Sequence, residues 1–200
     1  MKRIGIFSGS FDPVHRGHIG IALEAITQVT LDEVYFLVET QPRRKSGVTH
    51  PAHRMAMLQL ALRSHPKLKV LELPDQQFSV AKTLPRLQQR FADSELFFIV
   101  GSDMLEHMPQ WPLLGQLLMN MGLIVAARGS MGTDKIQRSI NTLPGDFKVT
   151  IIINSPYPDL SSRAIRETLL ANHSSPDVLP SIRRYIKQHW LYSVVVPNSS

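Results

Sequence analysis

Short, almost unbroken apolar runs recur along this chain, and the stretches between them carry helical periodicity. The runs are Arg3–Phe7, Glu33–Val38, Leu68–Leu73, Glu95–Val100, Leu123–Ala127 and Lys148–Ile153. A strand with one wet face alternates apolar and polar residues, whereas a strand covered on both faces reads as a continuous apolar run. Amphipathic stretches lie between them at His18–Val29, Pro51–Ser64, Ser79–Phe91, Leu113–Met121 and Asp134–Asn141, and two more, Ser161–Ala171 and Asp177–His189, follow the last run. This alternation predicts an α/β fold built on a doubly wound parallel sheet. No repeat or Gly/Ser-rich linker interrupts it, so the proline-bearing Ser155–Asp159 reads as a loop inside one domain. The expected organisation is a single domain over residues 1–193, helical from about residue 161 onward, with a loosely held tail over 194–200.

Hydrophobic residues make up 43% of the 200, enough to fill such a core. No stretch approaches the roughly 20 apolar residues of a membrane span. Ser8-Gly9-Ser10 and Asp12 cut the opening apolar run too early for a secretory segment, so a cytoplasmic location is expected. With no cysteine, disulfides, thiolate zinc sites and a catalytic thiol are excluded. Lys and Arg outnumber Asp and Glu by 22 to 16, a formal +6. Such a surplus serves nucleic acid, a membrane surface, phosphorylated small ligands, or solubility alone. The position of the basic residues has to decide.

In open α/β sheets, ligands bind beyond the carboxyl ends of the strands. Directly after the first run come Gly9 and Ser10, then a polar turn, then a helix beginning near Gly17-His18. Small residues let backbone N–H groups approach phosphate oxygens, and the helix start adds about half a positive charge. The pattern is neither the Walker loop nor Gly-x-Gly-x-x-Gly. His15 and His18, three residues apart, share one side of the helix start and form a donor cluster suited to a polyphosphate. A two-histidine metal site would need a third ligand at suitable spacing, and none is obvious nearby.

The run Gly9-Ser10-Phe11-Asp12-Pro13-Val14-His15-Arg16-Gly17-His18 resembles the nucleotidyltransferase signature Gly-x-Phe-Asp-Pro-x-His-x-Gly-His. That superfamily includes the nicotinate-mononucleotide, nicotinamide-mononucleotide and phosphopantetheine adenylyltransferases. Leu160-Ser161-Ser162-Arg163-Ala164-Ile165-Arg166 is similar to its Ile-Ser-Ser-Thr-x-Ile-Arg element, with Arg163 in place of Thr. Read physically, Ser161 can cap a helix, Ser162 and the first-turn amides can face a phosphate, and Arg166 offers a rigid fork one turn on.

The resemblance runs from Arg3 to about Tyr192 and favours the nicotinate branch. That branch has Pro-Pro-His-Lys where this chain has Pro42-Arg43-Arg44-Lys45, followed by a helix-opening arginine, here Arg54. Gly101-Ser102-Asp103 resembles its Gly-x-Asp, followed at matching spacing by Trp111, and Arg128-Gly129 resembles its Arg-Pro-Gly without the proline. Phe78–Leu84 departs from Tyr-Thr-x-Asp-Thr-Leu, keeping Thr83 and Leu84 but placing Val80 and Lys82 where Thr and Asp are usual.

These matches imply a Rossmann-like nucleotidyltransferase that moves AMP from ATP to nicotinate mononucleotide. His15, His18 and Arg166 would be catalytic. ATP would meet Gly9, Ser10, Phe11, Gly101, Asp103, Arg128, Ser161 and Ser162 as well. Arg44, Lys45, Arg54, Thr83 and Trp111 would hold the acceptor. Mg²⁺ would ride mainly on the ATP phosphates, with no metal site made by the protein. The implied partners are ATP and a phosphorylated mononucleotide, without nucleic acid or membrane, and with a homo-oligomer left open. The alternatives are another phosphorylated acceptor, such as nicotinamide mononucleotide, and a non-catalytic nucleotide sensor.

Overall fold

Every apolar run expected as a strand forms one, and every amphipathic stretch forms a helix. The computed structural model describes residues 1–193 apart from 44, 130, 131, 146 and 173. Arg44 and the 194–200 tail therefore lie outside the described residues. The elements are β1 (Lys2–Gly9), α1 (Arg16–Val29), β2 (Glu33–Val38), α2 (Pro51–Leu62), β3 (Leu68–Leu71), α3 (Val80–Arg90), β4 (Ser94–Gly101), α4 (Leu114–Asn120), β5 (Gly122–Ala127), α5 (Thr133–Asn141), β6 (Thr150–Asn154), α6 (Ser162–Asn172) and α7 (Pro180–Gln188).

Two of the expected runs are cut short at one end, each because of its hydrogen-bond partners. β3 stops at Leu71, where its pairing with Leu37 of β2 ends. Pro74, just beyond, has no N–H to extend a ladder. β6 starts at Thr150, opposite Leu123. The Lys148 N–H is already committed to the Leu118 carbonyl at 3.0 Å.

The six strands form one sheet in the order β3-β2-β1-β4-β5-β6, and every pairing is parallel. Ile4 and Ile6 of β1 enter a core with Leu84, Leu87, Leu117 and Ile136 from α3, α4 and α5. Phe7 enters the opposite core with Ile19, Met57, Ile165 and Ile182 from α1, α2, α6 and α7. Both faces of the sheet are thus apolar, as the unbroken runs require. Each fully buried Leu or Phe contributes about 1.5–3 kcal/mol relative to exposure, so both helical layers are needed. The C-terminal helices share the α1 core, and α7 packs on α2. No helix among the described residues is long and apolar enough to cross a membrane.

Candidate functional site

The chain winds outward from β1 through β2 to β3, then returns to lay β4 against the other side of β1. Connections leaving β1 and β4 therefore diverge, which opens a crevice beyond their carboxyl ends. A cleft of about 750 Å³ occupies that position. Its lining comes from the ends of β1 and β4, the segments after β2 and β5, and the start of α6.

The loop after β1 makes one wall. Phe11 takes a left-handed φ of 49°, unusual for a residue with a side chain. Its ring is 1% exposed and lies 5.3 Å from Phe36 and 5.1 Å from the His18 imidazole. His15 is the N-cap of α1, and its ring stacks 3.7 Å from that of His18. A Cβ on Gly17 would stand 3.0 Å from the His15 ring, so glycine there leaves room for the imidazole.

The two histidines are differently placed. His18 lines the cleft, and its Nδ1 accepts the His15 N–H at 3.3 Å. That bond assigns the neutral-ring proton to Nε2, leaving an N–H donor available. His15 is 1% exposed, yet among the described residues neither of its ring nitrogens has a hydrogen-bond partner. Buried polar atoms are normally paired, so this imidazole, which stacks on the cleft-lining His18 but lies outside the cleft lining itself, is an exception. Burial first, and the Arg128 charge second, push His15 down to about 3. Burial, the His15 ring, Arg128 and Lys45 push His18 well below the ordinary histidine range. Both rings are therefore neutral near pH 7.

This has a consequence for stability. Unfolded histidines titrate near 6.5, so below that pH the unfolded chain gains protons that the folded sites refuse. Stability should be flat above pH 6.5 and fall as pH drops toward the depressed folded values, by up to about 1.4 kcal/mol per pH unit for each ring. Thermal melts of the ligand-free protein between pH 7.5 and 5 check this. An unchanged midpoint would contradict neutral burial.

The second motif closes the polar half of the cleft. Ser161 Oγ accepts the Ala164 N–H at 3.2 Å, capping α6 as its position predicts. Ser162 Oγ donates to the Pro13 carbonyl at 3.1 Å, and Arg166 Nη1 donates to the Asp12 carbonyl at 2.7 Å. The two signatures are thus bonded to each other across the length of the chain. Arg128, after β5, donates through Nη2 to the Leu160 carbonyl and lies 3.8 Å from Asp103. A Cβ on Gly101 would sit 2.4 Å from that Asp103 carboxylate, so glycine at the end of β4 permits the approach. Lys45 Nζ donates to Ser10 Oγ at 2.8 Å, bringing the segment after β2 onto the same loop. Burial lowers the Lys45 pKa, partly offset by Glu39, Asp12 and Asp103.

The remaining wall is aromatic. Phe78 and Phe98 lie 4.5 Å apart, and Trp111 is 6.0 Å from each. All three rings line the cleft. Trp111 lines the cleft, but Arg54, Thr83 and His15 are not in its lining. Arg54 has no exposed surface. Its guanidinium donates to the carbonyls of Thr49, Ser10, Glu39 and Thr40 at 2.7, 2.7, 2.8 and 3.0 Å. It organises the loops from beneath and has no face left for an acceptor. Thr83 is also fully buried, and its Oγ1 accepts the Ser79 N–H at the start of α3. Of the unusual residues at 78–84, Val80 is buried in the core under α3 and Lys82 is exposed outside the cleft.

Sequence reasoning missed Glu39, which lines the cleft and whose Oε1 accepts from Ser8 Oγ at 3.2 Å and the Phe78 N–H at 3.1 Å. It also missed Phe78 and Phe98. An acid at a strand's carboxyl end was the available signal for Glu39. Nothing local distinguishes Phe98 from its strand neighbours.

Among the described residues, no group of three or more His, Cys, Asp or Glu is placed to hold a metal ion. The cleft lining carries the cationic side chains of Lys45, Arg128, Arg163 and Arg166.

The cytidylyltransferase-like family model matches residues 6–168. The chain is 33% identical to the nicotinate-nucleotide adenylyltransferase of Bacillus subtilis, across 96% of this chain and 99% of that relative. Two solved structures of the Plasmodium falciparum nicotinic acid mononucleotide adenylyltransferase, one complexed with NaAD and one with APC, give TM-scores of 0.76 and 0.77 at 20% identity. Each comparison covers 96% of this chain and 98% of the other. At that identity the structural likeness carries the fold alone.

Proposed function

Because the chain belongs to the nicotinate-nucleotide adenylyltransferase family, we infer that it transfers AMP from ATP to nicotinate mononucleotide, forming deamido-NAD and pyrophosphate in NAD biosynthesis. The observation that carries this reading is a single cleft with two chemically distinct halves. One half is cationic, joined by the Ser162 and Arg166 bonds to the first loop. The other is the aromatic wall of Phe78, Phe98 and Trp111. A dinucleotide product has the same two-ended chemistry, and a cleft of about 750 Å³ lies in the usual range for such ligands.

An oxygen of the acceptor phosphate attacks the ATP α-phosphorus. A new O–P bond forms as the bond from that phosphorus to the bridging oxygen breaks, and pyrophosphate leaves. The nucleophile is already anionic, so positioning and charge stabilisation are what the protein has to supply. In this reading the neutral His18 Nε2–H donates to the polyphosphate, and the buried His15 ring supports it by stacking behind it. Arg166 neutralises the leaving pyrophosphate. Lys45 steers the acceptor phosphate beside the first loop, and Gly9, Ser10, Gly101 and Asp103 border the nucleotide. Ser162 acts mainly by holding the first loop, since its hydroxyl is committed to Pro13. Mg²⁺ enters with ATP as its substrate complex. The working location is the cytoplasm.

Pyrophosphate release from Mg·ATP tests the reading against nicotinate mononucleotide, nicotinamide mononucleotide and phosphopantetheine. Nicotinate mononucleotide should be preferred, and turnover with none of them would favour a nucleotide sensor. In the same assay Trp111→Ala should raise the acceptor KM by about 10–100-fold, the loss expected for one ring-stacking contact, while the ATP KM changes little.

A further inference from the structure

Asp12 belongs to the phosphate-binding loop, but its carboxylate is turned away from solvent, with 2% of the residue exposed. One oxygen accepts the Tyr192 hydroxyl at 2.6 Å. The other accepts the Thr49 N–H at 3.4 Å and lies 3.8 Å from Arg166 Nη1. That same Nη1 already donates to the Asp12 backbone carbonyl at 2.7 Å. The guanidinium expected to meet pyrophosphate thus forms a long, 3.8 Å ion pair with a buried carboxylate, its shorter bond going to the backbone carbonyl.

Tyr192 comes from the far end of the chain. It follows α7 through residues with left-handed backbone, φ 52° at Trp190 and 54° at Tyr192, conformations that cost energy for any residue with a Cβ. Leu191 and Tyr192 pack against the core shared by α1, α2, α6 and α7. Burial and the Asp12 charge push the phenol well above its ordinary pKa, so it is a permanent donor.

We propose that Tyr192 is a positioning residue for the adenylyl-transfer site: its hydroxyl holds the Asp12 carboxylate in place and so keeps the Arg166 guanidinium available to the ATP polyphosphate. Without the phenolic donor, the carboxylate has one fewer reason to stay where it is. Shortening the 3.8 Å ion pair with Arg166 satisfies it instead. The cation is then spent on the protein, and ATP loses a charge-assisted contact while the aromatic acceptor wall is untouched. The inference rests on the adenylyl-transfer reading for the identity of the anion.

Tyr192→Phe keeps the ring and removes only the hydroxyl. Calorimetric titration with Mg·ATP should give a Kd raised about tenfold or more, in keeping with the loss of a hydrogen bond to a charged group. The KM for nicotinate mononucleotide should stay within about twofold of the parent value, since the aromatic wall is separate. The melting temperature, measured alongside, identifies any loss of fold. Asp12→Asn placed in the Tyr192→Phe background removes the competing charge and should restore part of the ATP affinity. A purely structural phenol predicts instead unchanged ATP affinity in Tyr192→Phe, or further loss in the double variant, and either result overturns the proposal. A parent protein that fails to bind Mg·ATP would overturn the adenylyl-transfer reading itself, a result separable from any comparison of variants.

Discussion

Replacing His18 by alanine is expected to lower kcat for pyrophosphate release on the order of 10²–10³-fold, the usual cost of removing one preorganised donor from a transition state. Burial and the neighbouring cationic groups keep the ring neutral. The His15 N–H occupies Nδ1, which leaves Nε2–H as a donor in the cleft. A neutral donor fixed in place gains strength as negative charge builds on the phosphorus oxygens, and it needs no reorganisation at that moment. The fold should survive, because His18 is only partly buried and contributes one hydrogen bond of 3.3 Å to the helix start. Steady-state kinetics with a parallel thermal melt measure both halves of the expectation. Near-normal turnover would remove His18 from the mechanism, and a collapse in melting temperature would make the kinetic loss uninformative about charge stabilisation.

The contrast between His18 and its neighbours explains how far a sequence carries such an assignment. Strand identity was legible because a two-sided burial leaves a signature in composition: β1 sends Ile4 and Ile6 to one core and Phe7 to the other. Both signatures were legible because backbone approach to phosphate demands small residues and a helix start at fixed spacing. What spacing cannot specify is where a long or polar side chain ends up once distant segments arrive. Ser162 looked like a phosphate donor, and its hydroxyl instead holds Pro13, 149 residues earlier. Asp12 looked like one letter of a motif, and its partner is Tyr192, 180 residues later. Val80 and Lys82 are the residues that depart from the family pattern, whereas the cleft is faced by Phe78. Each of these outcomes depends on the strand order and on which helices cover the β1 loop, information that no local window contains.

Arg54 is the residue for which the difference between local appearance and tertiary role has the largest thermodynamic consequence. A basic residue at the start of a helix, beyond a strand's carboxyl end, suggests a phosphate ligand. If that were its role, Arg54→Leu would fold normally and raise the acceptor KM. The geometry predicts the reverse. The guanidinium is fully buried and joins the first loop at Ser10 to the segment after β2 at Glu39, Thr40 and Thr49. Leucine would leave those carbonyls without their donor, the Ser10 carbonyl in a buried position and the other three in partly buried ones. Each abandoned buried acceptor costs about 1–3 kcal/mol. The apolar packing of leucine and loop relaxation recover part of that sum, so a net loss of at least about 4 kcal/mol is expected. Domains have only about 5–15 kcal/mol in total. For a chain of this size the melting temperature should fall by roughly 8–16 °C, or the protein should fail to accumulate in soluble form. Arg54→Lys separates the two roles further. An ammonium keeps the charge that a phosphate would want but lacks the planar fork that reaches carbonyls on several segments, so it too should melt early. Circular dichroism melts of both variants decide the matter. A lysine variant with parental stability and a raised acceptor KM would return Arg54 to the binding site.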